Sequence, residues 1–148
     1  IGTAMEQSEF SDCIFCESGK FLSGWGMTAA SGCSMCLEGT YLSGTGLIDK
    51  SNCSLCHAGT YQTGSGMVAD TNCTICESGK YQSNLGGKGE TECKDCPAGK
   101  YQSGLGMQVE LNCSLCFAGK YQHMPGITNP NGCFPCSAGK YSSASGLN

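Results

Sequence analysis

Small disulfide-rich tandem repeats, arranged as an elongated rod or solenoid of very short β-hairpins and turns with little or no helix, are the fold class this sequence predicts. Three observations carry the prediction. The 14 cysteines fall into seven C-x-x-C pairs at a constant spacing of twenty residues. Two glycines and one aromatic residue recur at fixed offsets from every pair. Finally, Leu, Ile, Val, Phe and Trp make up roughly a sixth of the 148 residues, less than an ordinary folded domain carries.

The third observation makes the first one necessary. Ordering a backbone costs about 1–2 kcal/mol per residue, and burying so little apolar surface does not offset that cost over this length. A covalent or metallic staple has to supply the difference.

The pairs are Cys13/Cys16, Cys33/Cys36, Cys53/Cys56, Cys73/Cys76, Cys93/Cys96, Cys113/Cys116 and Cys133/Cys136. Three residues after each pair stands a glycine (Gly19, Gly39 and so on to Gly139), and two residues further an aromatic, Phe21 and then Tyr41 to Tyr141. A second glycine follows, from Gly26 to Gly146. The unit reads C-x-x-C-x-x-G-K/T-Y-Q-S-G-x-G-M, followed by five variable residues. A glycine present in every copy marks positive φ or the close approach of another segment. One aromatic per unit suffices to cover a disulfide and give each unit a miniature core.

Glycines interrupt every candidate helix. The Gly-Lys-Tyr-Gln-Ser stretch suits a short strand, with the return before the next cysteine as its partner. Each unit is expected to contact mainly its neighbours. The division is a partial or irregular leading repeat at 1–12, full repeats at 13–32, 33–52, 53–72, 73–92, 93–112 and 113–132, and a partial repeat at 133–148. Beginning and ending within a repeat, the chain reads as a window on a longer array.

If all units are bonded alike, three pairing schemes survive: closure within each C-x-x-C, second cysteine to the first of the next unit, or first to the second of the next. A bridge within C-x-x-C is strained and reducible, typical of redox enzymes. The second scheme closes a short loop around Gly-Lys-Tyr and leaves the aromatic over the bridge. It is the one preferred here: Cys16–Cys33, Cys36–Cys53, Cys56–Cys73, Cys76–Cys93, Cys96–Cys113 and Cys116–Cys133, with Cys13 and Cys136 paired outside the segment. Each loop of this size contributes roughly 3 kcal/mol by chain-entropy reasoning.

Zinc is the main rival, because C-x2-C-x16-C-x2-C falls within four-cysteine zinc spacing. An odd number of pairs, and glycine and aromatic positions that repeat once per pair rather than once per two pairs, weigh against it. Thioredoxin-like chemistry needs a single C-x-x-C at a helix start, which seven copies without helices do not provide. No metal, cofactor or catalytic residue is expected. Asp49 and Asp70 lack the alternating ligands of a calcium loop, and His57 and His123 occupy different repeat positions without a converging partner, so both are expected at the surface. Trp25, between two glycines, is expected to pack locally, with an exposed contact between chains as the alternative.

A net charge of -4 without a single arginine argues against a nucleic-acid partner, and none is expected. No apolar run approaches the ~20 residues that span a bilayer. Asn52-Cys53-Ser54, Asn72-Cys73-Thr74 and Asn112-Cys113-Ser114 match the N-glycosylation pattern, so Asn52, Asn72 and Asn112 are candidate glycan carriers. The plainer reading is a turn residue before the cysteine, since Asp12, Gly32 and Gly132 share that slot.

The C-x-x-G-K/T-Y…C-x-x-C order, as in Cys96-Pro97-Ala98-Gly99-Lys100-Tyr101 and Cys113, resembles the ephrin-receptor-type cysteine-rich (GCC) repeat, a relative of the tumour-necrosis-factor-receptor cysteine-rich module. The resemblance covers Cys13 to Tyr141. It implies an extracellular, rod-like protein with a bridge from the cysteine before Gly-x-Tyr to the next one, in agreement with the pairing preferred above. The expected function is an extracellular structural repeat protein, the shaft of a filament, surface coat or stalk that self-associates and carries N-linked glycans. The alternative is a receptor-like or adhesive ectodomain that binds a protein or glycan ligand.

Overall fold

The computed structural model describes residues 13–148; the leading repeat expected at 1–12 lies outside them. Twelve two-residue strands form six antiparallel hairpins: β1 (Lys20–Phe21) with β2 (Ser34–Met35), β3 (Thr40–Tyr41) with β4 (Ser54–Leu55), β5 (Thr60–Tyr61) with β6 (Thr74–Ile75), β7 (Lys80–Tyr81) with β8 (Lys94–Asp95), β9 (Lys100–Tyr101) with β10 (Ser114–Leu115), and β11 (Lys120–Tyr121) with β12 (Phe134–Pro135). The register is the same throughout, with Lys20 opposite Met35 and Phe21 opposite Ser34 in the first hairpin. Small disulfide-rich tandem repeats are therefore the observed architecture.

The second strand of each hairpin differs from the expectation. It lies after the next unit's first cysteine, inside the C-x-x-C, not before it. The residues before that cysteine form a three-residue 3-10 turn, such as Ala30–Gly32 or Asp70–Asn72. Their N–H groups are engaged locally: Gly32 N donates to Ala29 O (3.1 Å) and Cys33 N to Ala30 O (3.1 Å). Chain already committed to such a turn cannot pair as a strand. Hairpin and bridge thus both straddle the boundaries drawn at the first cysteine of each pair.

Hairpins this short are not stable alone. They are tied into one ladder by hydrogen bonds that recur every twenty residues. Gly39 N donates to Gln62 O (2.8 Å), Leu42 N to Met67 O (2.9 Å), Cys56 N to Gly39 O (2.9 Å) and Gly66 N to Cys36 O (2.7 Å). One unit on, Gly59 N donates to Gln82 O (2.7 Å) and Gly86 N to Cys56 O (2.7 Å). Each aromatic from Phe21 to Tyr121 also forms a single parallel bridge to a residue of the next unit, for example Tyr41 to Met67 and Tyr81 to Met107.

Both recurrent glycines have positive φ in every copy, +77° at Gly39 and +72° at Gly66 for instance. The first of them also answers a close approach. A Cβ on Gly19 would overlap Gly66 O, and one on Gly59 would overlap Gly106 O. These partners are 47 residues apart, two units along the chain. The inter-unit hydrogen bonds join immediate neighbours, as expected, and this close approach adds a contact between next-but-one units.

Candidate functional site

The sulfur ladder is the interior. Bridges join Cys16–Cys33, Cys36–Cys53, Cys56–Cys73, Cys76–Cys93, Cys96–Cys113 and Cys116–Cys133, each spanning 17 residues with Cα atoms 5.7–5.9 Å apart. The second cysteine of each bridged C-x-x-C is nearly inaccessible, with Cys56, Cys96 and Cys116 at 0 % exposure. Cys13, exposed, and Cys136, half-buried, are free thiols in this segment.

The aromatic is not the most deeply buried residue of its segment. Phe21 and Tyr41 to Tyr121 are half-buried, and Tyr141 is exposed. The residue after it is the one that is buried: Leu42, Gln62, Gln82 and Gln122 are each less than 5 % exposed. Side chains alternate along an extended chain, so a residue facing the bridges follows one facing outward.

A glutamine tolerates that interior because its amide is paired. Gln122 Oε1 accepts from Met124 N (2.7 Å), and its Nε2 donates to Gly132 O. Gln102 repeats the arrangement with Gly104 N (2.6 Å) and Asn112 O. Gln82 accepts from Asn84 N (2.9 Å) and donates to Glu92 Oε2 (3.4 Å). Gln62 Oε1 is buried without a partner while its Nε2 lies beside Gly64. A half-turn of that amide gives the orientation found at Gln102. Sequence reasoning assigned this slot no role, although it reads Leu22, Leu42, then glutamine from Gln62 to Gln122, and Ser142.

Asn52, Asn72 and Asn112 are all exposed at the end of a 3-10 turn. Their Oδ1 atoms accept from backbone N–H groups at the turn's start: Asp49 N (3.1 Å), Ala69 N (3.1 Å) and Val109 N (3.2 Å) respectively. Among the described residues, Nδ2 of these three makes no hydrogen bond, so the atom that would carry a glycan is not used by the fold. Glu92, in the same slot, does the same work through Oε1, which accepts from Lys88 N (2.9 Å). In the first of these turns Asp49 also accepts from Ser51 N (2.7 Å), and this bond lowers its carboxyl pKa below the ordinary aspartate value.

His57 and His123 are exposed, and His123 stacks on Tyr121 with ring centroids 6.2 Å apart. Trp25 is 98 % exposed. This corrects the expectation of local packing and leaves the ring available at the surface. Among the described residues no cluster of three or more His, Cys, Asp or Glu could hold a metal ion, and no helix is long and apolar enough to cross a membrane.

Depressions on the surface of the described residues include two with apolar linings. One, of about 370 Å³, lies over the Cys36–Cys53 bridge between Phe21, Met35, Leu37 and Leu55. The other, at the N-terminal end of the ladder, is lined by Ile14, Phe15, Trp25 and Met27 among others. No family model matches the chain, and comparison with curated proteins returns no match.

Proposed function

We propose that this is an extracellular structural repeat protein, a shaft segment of a filament, surface coat or stalk that self-associates and carries glycans at Asn52, Asn72 and Asn112. The observation that carries the reading is uniformity: the same bridge, hairpin register and glycine contact recur in unit after unit. An array whose units repeat presents one face at regular intervals, which suits lateral or end-to-end assembly. Oxidised sulfur supports an extracellular setting, since cytosolic thiols are kept reduced. The likeness of the C-x-x-G-K/T-Y order to extracellular receptor repeats supports the same setting. An enzymatic role has no support, because no acid–base pair or nucleophile constellation recurs or converges.

One observation favours an adhesive ectodomain as a second reading. Trp25, Ile14 and Phe15 are 98 %, 98 % and 74 % exposed around one depression, and such an aromatic patch is the raw material of a binding hot spot. Electron microscopy of the purified oxidised protein separates the two. Long fibres or ordered arrays support the shaft, and monodisperse monomers at high concentration rule it out.

A further inference from the structure

We propose that the groove over the Cys36–Cys53 bridge binds a small amphipathic carboxylate, a medium-chain fatty acid anion in chemical class. Its volume of about 370 Å³ lies at the lower end of small-molecule sites. Four apolar side chains form it. Met35, Leu37 and Leu55 are each about half exposed, at 54 %, 53 % and 50 %, and Phe21 is half-buried beside them. An alkyl chain laid there removes apolar surface from water on both partners.

The carboxylate is called for by Lys50, the one charged residue of the lining. The repeat itself shows what its slot is for. Two units on, the residues equivalent to Thr40 and Lys50 are Lys80 and Glu90, which form an ion pair at 3.4 Å. In the next unit Lys100 and Glu110 pair at 2.8 Å. These two slots therefore face each other across the hairpin. In the groove the lysine is replaced by Thr40, whose hydroxyl is committed to Leu37 O (2.6 Å), and the glutamate by Lys50. Among the described residues Lys50 has no carboxylate partner. A ligand carboxylate completes, with reversed polarity, the pair that the sister units make internally. One unit on, the same slots hold Tyr41, His57 and Asp70 in place of Phe21, Leu37 and Lys50, a lining that repels an anion.

The test titrates the intact oxidised chain with sodium octanoate and, separately, with octan-1-ol, reading methyl shifts by NMR. Expected are saturable shifts confined to Met35, Leu37 and Leu55, and octanoate binding roughly threefold to fivefold tighter than octan-1-ol, the size of a partly exposed ion pair. Lys50→Glu abolishes that preference and leaves octan-1-ol affinity unchanged. Leu55→Asp weakens both ligands. Both variants place a residue that the same slot already carries elsewhere, in Glu90 and Asp95, so both are expected to fold. The proposal is overturned if octanoate shifts spread evenly over all units, if binding does not saturate, or if Lys50→Glu binds octanoate as the parent does.

Discussion

Gly59→Ala and Gly139→Ala form a matched pair that measures the contact between next-but-one units. Both glycines occupy the same slot with nearly the same backbone, φ +83° and +81°. Alanine in the left-handed region costs roughly 1–2 kcal/mol at either site. At Gly139 the account ends there, because nothing lies within 4 Å of a built Cβ. At Gly59 the methyl meets Gly106 O and Gly106 C, backbone atoms that cannot swing aside. Relieving the overlap means parting two units. Gly59 N donates to Gln82 O (2.7 Å) and Gly59 O accepts from Cys76 N (2.9 Å) in the intervening unit, so a shift of Gly59 away from Gly106 strains both bonds. Losing even one of them adds roughly 1 kcal/mol, and lost packing comes on top. The left-handed strain is common to both sites and cancels, so Gly59→Ala should exceed Gly139→Ala by about 1–2 kcal/mol, from lost bonding and packing alone. Repeat arrays need not unfold in two states, so the assay is native-state hydrogen exchange at the Gly59, Cys76 and Gly106 amides with the bridges intact. Equal protection losses in the two variants would refute the two-unit contact.

Other outcomes follow from the same geometry. Gln122→Leu should be tolerated within about 1 kcal/mol, because Leu42 fills that slot, whereas Gln122→Glu turns a donor to Gly132 O into a buried acceptor and should cost about 2–4 kcal/mol; denaturant titration distinguishes them. Replacing Cys56 and Cys73 together by serine should remove about 3 kcal/mol, the loop-closure contribution of one 17-residue bridge, seen as locally lost exchange protection. Asp49 has a lowered folded pKa, so its cap on Ser51 N is present above the unfolded value and is lost as pH falls through the folded one; the Ser51 amide shift, followed in an acid titration, should move in that window and stay fixed in Asp49→Ala. Protein from a secretory host should lose mass at Asn52, Asn72 and Asn112 on enzymatic deglycosylation, and unmodified asparagine at all three would reject the glycan assignment.

Much of this fold was legible because repetition inside one chain exposes which positions are constrained. Gly19 and Gly26 signalled positive φ by recurring, and both series have it. The constant twenty-residue step and the Gly-Lys-Tyr segment narrowed the bridge pattern to three schemes, and the second is present. What was not legible depends on the third dimension. Nothing in the period reveals that Gly19 abuts Gly66, since a reach of 47 residues reflects how tightly the chain coils. The inward turn of Gln82 rather than Tyr81 was hidden because a glutamine looks like a surface residue until its amide partners are known. The mate of Lys20–Phe21 was misplaced for a related reason. The residues before Cys33 are extended neither by composition nor by bonding, and only the 3-10 turn shows why Ser34–Met35 takes the pairing instead. At the candidate groove nothing in the sequence singled out Lys50; its significance depends on the ion pairs that Glu90 and Glu110, in its slot, make with Lys80 and Lys100.

Peptide mapping of the native protein without reduction, by mass spectrometry, bears most directly on the claim that stapled sulfur replaces an oily core. The expected products are six linked peptide pairs, joining Cys16 to Cys33 and onward in steps of one unit to Cys116 with Cys133. Bridges closed within each C-x-x-C, or a full set of reduced thiols holding stoichiometric zinc, would contradict it.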